Sequence, residues 1–546
     1  MLSLFSLVKA PRAKARKRPL ARRATFERLE ERTVLATSFS PLPGVVLTQL
    51  GASGSSGTAV FLDPNGKIDV AGSTSLTNTD TDFAVLRYNA DGNPDTTFGT
   101  GGAVTTSFPK AAAGYGSHAY AAAGYPDGRI LAAGNVWTWN YGLGDYDFAL
   151  ARYTASGGLD STFAKTGTVQ TDVGKWKWGD DSDRIAGVVL QPVVSNGKVD
   201  YMTVAAGFTA SSGTNNYATY QGVLARYTSA GKLDTSFGGS GIVKTPYNAS
   251  LATRWSAVAL QQDKILAVGT QWSVGGNTSD FVLARYNLNG TLDTSFGGMG
   301  TGMVTSNFTS VDNARALAVD SAGNIFVAGY FSSTVSSGDF GLAKYTPYGS
   351  LDTSFNGTGF AQVAHMGYYR SSDDLGAVAI QGDQIVLVGT TGILVGTSGR
   401  DAIAMARFNA NGTLDPNFGS SGTVVLQDLA SSANSVAIQG QGSGSKILVC
   451  GYSPDPSTRY DVLVARFDHN GTLDPTFKVS GTAGAGASSS AALTDAALAA
   501  AVMSAPTTSQ PGAVDQVFSD FGSTPASQKR KSTALDAAYL DLVLQA

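Results

Sequence analysis

Seven aspartates recur at a fixed distance from seven phenylalanines. Asp95, Asp160, Asp234, Asp293, Asp352, Asp415 and Asp474 are followed three positions later by Phe98, Phe163, Phe237, Phe296, Phe355, Phe418 and Phe477. Carboxylates and amides at alternate positions can hold Ca²⁺. Asn89-Ala-Asp91-Gly92-Asn93-Pro94-Asp95 and Asp468-His-Asn470-Gly471-Thr-Leu-Asp474 have that spacing. Other repeats replace the early oxygens, as in Thr154-Ala-Ser156 and Thr228-Ser-Ala230, and no loop ends in the Glu of an EF-hand. The aspartate thus recurs where a ligand set does not. It reads as a turn residue accepting backbone N–H bonds, with the phenylalanine anchoring the turn in the core. No metal or other cofactor is expected, Ca²⁺ being the one ion the loops could suit.

A cation recurs with them: Arg87, Arg152, Arg226, Arg285, Lys344, Arg407 and Arg466. A ring of cations could draw an anion into a central channel. A buried guanidinium without a partner is too costly, however, so pairing with a carboxylate such as Asp82, Asp147, Asp280, Asp339 or Asp461 is expected. The histidines His118, His365 and His469 stand in no metal-binding or triad spacing, and no nucleophile elbow is present. No catalytic residue is assigned. Cys450 fills a slot taken elsewhere by Ala71, Ala133 and Ala328, which suits a small buried hydrophobe. The irregular positions are aromatic: Trp137, Trp139, Trp176 and Trp178, then Trp255 and Trp272, then Tyr368 and Tyr369 beside His365 and Arg370. Aromatics on loops suit carbohydrate or peptide binding as well as loop packing. Trp137, Trp139, Trp176, Trp178, Tyr368 and Tyr369 are the candidate binding residues.

These residues sit in a repeat. Successive Asp positions are 65, 74, 59, 59, 63 and 59 apart, a period of propellers, solenoids or arrays. The fourth unit predicts strands at Ser256–Leu260, Lys264–Gly269, Asp280–Tyr286 and Gly302–Thr305. Along Asp280–Tyr286 large and small side chains alternate, the pattern of a sheet packed on both faces. The seventh unit supplies three strands, Ser435–Ile438, Lys446–Gly451 and Asp461–Phe467. Gly44–Leu50 at the other end resembles Gly241–Thr245 and supplies the fourth. Closing the ring in this way removes two open sheet edges. The expectation is an all-β chain, a seven-bladed β-propeller of four-stranded blades completed by residues 44–50.

The motif Asp280-Phe-Val-Leu-Ala-Arg-Tyr286 with Gly290-Thr-Leu-Asp-Thr-Ser-Phe-Gly297 resembles the delta-60 repeat of bacterial surface proteins. That resemblance covers roughly residues 44–480 and implies a propeller related in layout to NHL-type repeats. Phe26-Glu-Arg-Leu-Glu-Glu-Arg-Thr-Val-Leu-Ala36 is similar to a segment found early in planctomycete exported proteins, with Val34 where that segment has Leu. It implies an extracellular or envelope destination in a bacterium.

Residues 1–36 carry +7 of a whole-chain charge of −3, so the body is acidic and unsuited to nucleic acid. No apolar run reaches the roughly 18 residues of a membrane span. Three parts are expected: a basic targeting or disordered segment at 1–40, the propeller at 41–480, and an Ala/Ser/Gly-rich tail at 481–546 with a short helix at 534–544. The expected function is a monomeric, non-catalytic surface or secreted module that binds or scaffolds a protein or glycan. A lyase or hydrolase working at the central channel and a purely structural envelope component are the alternatives.

Overall fold

The computed structural model describes residues 36–38 and 42–478, apart from 52, 78–79, 109–115, 141–142, 175–180, 196, 213–217, 246–250, 275–277, 333–337, 364–365, 368–372, 396–397 and 455–459. The expected tail, its helix and nearly all of the basic segment lie outside the described residues. Among those residues the chain is all-β, with two single 3₁₀ turns at Phe355–Gly357 and Gly442–Gly444.

Alternating large and small side chains produce four-stranded antiparallel sets. In the fourth unit the strands are Leu251–Gln261, Lys264–Ser273, Ser279–Asn287 and Met303–Ser306, paired in that order. The third strand begins and ends within one residue of the predicted positions, while the second begins at Lys264 as predicted and runs four residues past Gly269. The first is extended by five residues at its start, because Thr253 and Trp255 keep the pairing going toward Trp272 and Ser273. Trp255 and Trp272 therefore stand on strands and not in loops, and Trp255 is fully buried.

The first strand of each unit packs beside the first strand of the next. Ser55–Leu62 lies by Ser117–Gly124, and the series runs on to Ser432–Gln439, which lies by Ser55–Leu62 again. In the seventh unit, Asp461–Phe467 pairs antiparallel with Val45–Gln49, Val45 opposite Ala465 and Thr48 opposite Val462. A further short strand, Ala36–Ser38, covers the outer edge of Val45–Gln49. It falls in the stretch that the sequence assigns to the targeting segment.

The core lies between consecutive units. Phe83 and Phe98 of the first unit pack with Ala122, Ile130 and Tyr153 of the second. In the same way Val46, Val462 and Val464 pack with Val60, Leu86 and Tyr88. Each Val, Leu or Phe so enclosed stabilises the fold by about 1.5–3 kcal/mol relative to exposure. Cys450 sits in that last layer, fully buried, where burial pushes its thiol well above the ordinary range.

Because strands alternate in direction, each unit has two ends. The first-to-second hairpin and the Asp-x-x-Phe turn, which joins strands three and four, share one end. The second-to-third connection and the crossover to the next unit share the other.

Candidate functional site

At the turn end the recurrent aspartate is built into a fixed device. Asp293 Oδ1 accepts the Ser295 N–H at 3.2 Å and its hydroxyl at 2.7 Å, while Oδ2 accepts Arg285 Nε at 2.9 Å. The Arg285 guanidinium lies 4.7 Å above the Phe296 ring. It also donates to the Pro347 carbonyl of the next unit at 2.7 Å. One cation thus joins its own turn, the core ring and the neighbouring turn.

The device recurs with Arg152 and Asp160, Arg226 and Asp234, Arg407 and Asp415, and Arg466 and Asp474. It corrects the partners expected from sequence. Asp280 and Arg285 are five apart on one strand, so their side chains face opposite ways about 16 Å apart. Asp293 comes back to Arg285 through the turn.

Two units depart from the pattern. Arg87 pairs bidentately with Asp69 at 2.6 and 3.0 Å, and Asp95 takes Lys67 at 2.6 Å instead. Asp69 sits on a strand position that other units fill with apolar residues. Burial drives its carboxyl upward, to about 7, although the two-point contact with Arg87 opposes the rise. In the fifth unit Lys344 reaches Asp352 at 3.0 Å.

In the two Ca²⁺-like loops the recurrent aspartates face inward, whereas Asp91 is exposed and accepts the Asn93 N–H. Both oxygens of Asp95 and of Asp474 accept bonds from side chains of the protein, Lys67 and Thr97 in one case, Arg466 and Thr476 in the other. The seven phenylalanines, Phe98 through Phe477, are completely buried.

The opposite end is irregular. Trp137 lies on the strand Ile130–Asn140, half-buried, in register with Tyr146 and edge-on to its ring at 4.6 Å. The insertion of the second unit is therefore an extended hairpin and not a loop around Trp137. A side chain at Gly144 would collide with the Trp137 ring, so glycine is required there. Trp139 is on the same strand opposite Gly144, its side chain outside the described residues. Trp176, Trp178, Tyr368 and Tyr369 also lie outside them.

Sequence reasoning missed two clusters at this end. Carboxylate oxygens of Asp147, Asp172 and Asp183 lie within 4.8 Å of one another, a set able to hold a cation. Asp183 also accepts the Val173 and Gly174 N–H groups at 2.7 and 3.0 Å.

The second cluster is cationic. Each first strand carries a one-residue bulge near its start. Arg184 and Arg254 occupy the same position, two residues before the bulge, and Arg315 is itself the bulged residue of the next strand. The corresponding residues two before the bulge elsewhere are Ser56, His118, Asn313, Asp374 and Ser432.

Arg184 stacks 3.7 Å from the Tyr120 ring centre and Arg254 3.6 Å from Tyr220, with Trp272 at 5.1 Å. Arg315 meets Asp374 at 3.3 Å. Burial lowers the basicity of Arg184; nearby Tyr120 opposes this, while the charges of Arg315 and Arg254 add to it. Each arginine stands alone in its own strand, so only a signal from register could have found the group.

A family model described as "Domain of unknown function (DUF5122) beta-propeller" matches six stretches, 64–98, 126–163, 261–296, 323–355, 381–418 and 445–477. Each match ends on a phenylalanine of the repeat, and together they place the chain among β-propeller repeat proteins. No curated protein matches the sequence.

Solved structures similar to the chain include the arabinanase of Bacillus subtilis, at 13% identity and TM-score 0.27, covering 51% of this chain and 92% of that one. The Trypanosoma rangeli sialidase, at 8% and 0.34, covers 80% of this chain, which spans only 59% of it. Drosophila Semaphorin 2a, at 9% and 0.38, covers 79% and 76%.

Proposed function

We propose that residues 41–480 form a seven-bladed propeller of four-stranded blades, closed by Val45–Gln49, and that it is a monomeric, non-catalytic binding module. It presents its insertion-bearing end to a protein or glycan, outside a bacterial cell or in its envelope. The cyclic packing of first strands and the pairing of Val45–Gln49 with Asp461–Phe467 support the ring.

One observation carries the binding reading. The two ends obey different rules: aspartate, cation and phenylalanine repeat at the turn end, whereas the residues before each bulge change from unit to unit. A position that packing alone dictates repeats with the packing. A polar rim that carries Ser, His, Arg, Asn and Asp in different units, set among half-buried aromatics, suits an asymmetric ligand.

The Asp147, Asp172 and Asp183 group favours a second reading, an enzyme with carboxylates or a metal at this end. The two are separated by incubating the full-length protein with envelope and polysaccharide extracts, following retention and product release together. Retention without turnover supports the module. Release of product that Asp147→Asn abolishes would replace it with the enzyme.

A further inference from the structure

Arg184, Arg254 and Arg315 come from the first strands of three consecutive units, and those strands pack side by side. Arg184 Nη2 and Arg254 Nε are enclosed and have no hydrogen-bond acceptor. Neither arginine forms an ion pair within the described residues; both meet only aromatic faces. Arg315 pairs with Asp374 at 3.3 Å, a carboxylate that is two-fifths exposed. Like charges gathered and partly desolvated raise the free energy of the empty protein, and an anion would lower it. Guanidinium forks suit a planar carboxylate held at two points.

The aromatics around the cluster define what carries that carboxylate. Tyr120, Tyr220 and Trp272 flank the arginines, and Tyr146, close enough to feel the Arg184 charge, continues the wall to Trp137. Rings of this kind stack on the apolar faces of sugars. We propose that the Arg184, Arg254 and Arg315 cluster binds the carboxylate of an acidic sugar. The inference rests on the glycan-binding reading above and adds the charge of the ligand.

Titration of the full-length protein with an oligogalacturonate, a neutral galactose oligomer and an oligoglutamate tests it. The oligogalacturonate is expected to bind and the neutral oligomer to bind far more weakly. Arg184→Met and Arg254→Met are each expected to weaken oligogalacturonate binding by about 30-fold or more. Because substitution relieves repulsion, both variants should keep or raise the unfolding temperature of the free protein, which a structural role would lower.

Equal affinity for the charged and neutral sugars, or unchanged oligogalacturonate binding by both variants, would overturn the site and leave the glycan-binding module standing. Binding of oligoglutamate alone would replace the sugar by an acidic peptide. Binding of none of the three would remove the inference.

Discussion

Arg466 donates a hydrogen bond to the carbonyl of Ala90, 376 positions earlier in the chain. Arg152 makes the same bond to Ser229 and Arg285 to Pro347, each from one unit to the next. The last unit therefore treats the first as its successor. The backbone agrees: Lys478 N–H donates to the Asp91 carbonyl at 3.0 Å, as Gly297 does to Tyr348 at 2.8 Å. The contact between the last and first units thus uses the same parts as the junctions made by Arg152 and Arg285.

Arg466→Met should cost about 1.5–3 kcal/mol, because it takes the guanidinium from Asp474 and leaves Lys446 as the remaining ion-pair partner. Arg466→Lys should cost much less, since Lys344 serves in the fifth unit. Arg129→Met, at a pair whose Asp127 carboxylate is more than half exposed, should cost under about 1 kcal/mol. Denaturant unfolding measures all three, and an Arg466→Met loss no larger than that of Arg129→Met would count against a closing role.

In the first, second, third and fifth units the tyrosine after the cation supplies a second junction, whereas Phe408 and Phe467 follow the cation in the last two. Tyr153 donates to Thr106 in the fourth strand of the preceding unit at 2.8 Å. Tyr88 is within 2.7 Å of Thr48, which stands in Val45–Gln49. Thr48→Val and Thr106→Val should each destabilise by about 1 kcal/mol in thermal unfolding. A neutral Thr48→Val beside a costly Thr106→Val would mean that Val45–Gln49 does not serve as a fourth strand.

Acid should act in two stages. Burial, with the Arg184 charge adding to it, lowers the His118 pKa to about 4. The unfolded chain binds that proton first, so the contribution is complete above about 6.5 and fades as the pH falls to about 4. Burial alone would raise Asp474, but Thr476, Lys446 and Arg466 hold it at about 2. Its contribution, and that of the other repeat aspartates, holds above about 4 and is lost toward pH 2. Unfolding temperatures across pH 3–8 should show both slopes, and His118→Gln should erase only the upper one. An upper slope that survives the substitution would assign it to another group.

Much of this was legible in the sequence because it repeats. Strand periodicity in Asp280–Tyr286 and the Asp-x-x-Phe turn recur often enough to be recognised, and Gly44–Leu50 matched the strand missing from the last unit. Three features were hidden. The partner of Arg285 depends on how the turn returns Asp293, which strand spacing does not reveal. Trp255 reads as a loop residue until its strand is seen to begin at Leu251. Arg184, Arg254 and Arg315 are 70 and 61 residues apart, and only the bulges and the packing of consecutive first strands bring them together.

The most direct measurement compares the two ends of the protein in one binding experiment. Full-length protein carrying Trp137→Ala with Trp272→Ala at the irregular end is set beside protein carrying Met299→Ala with Tyr348→Ala at the turn end, where both side chains are exposed. Each is titrated against the glycan or envelope fraction that retains the unmodified protein. The account predicts loss of at least about tenfold in affinity for the first pair and no change for the second. Undiminished binding by the first pair, with loss in the second, would contradict it and place the binding surface at the turn end.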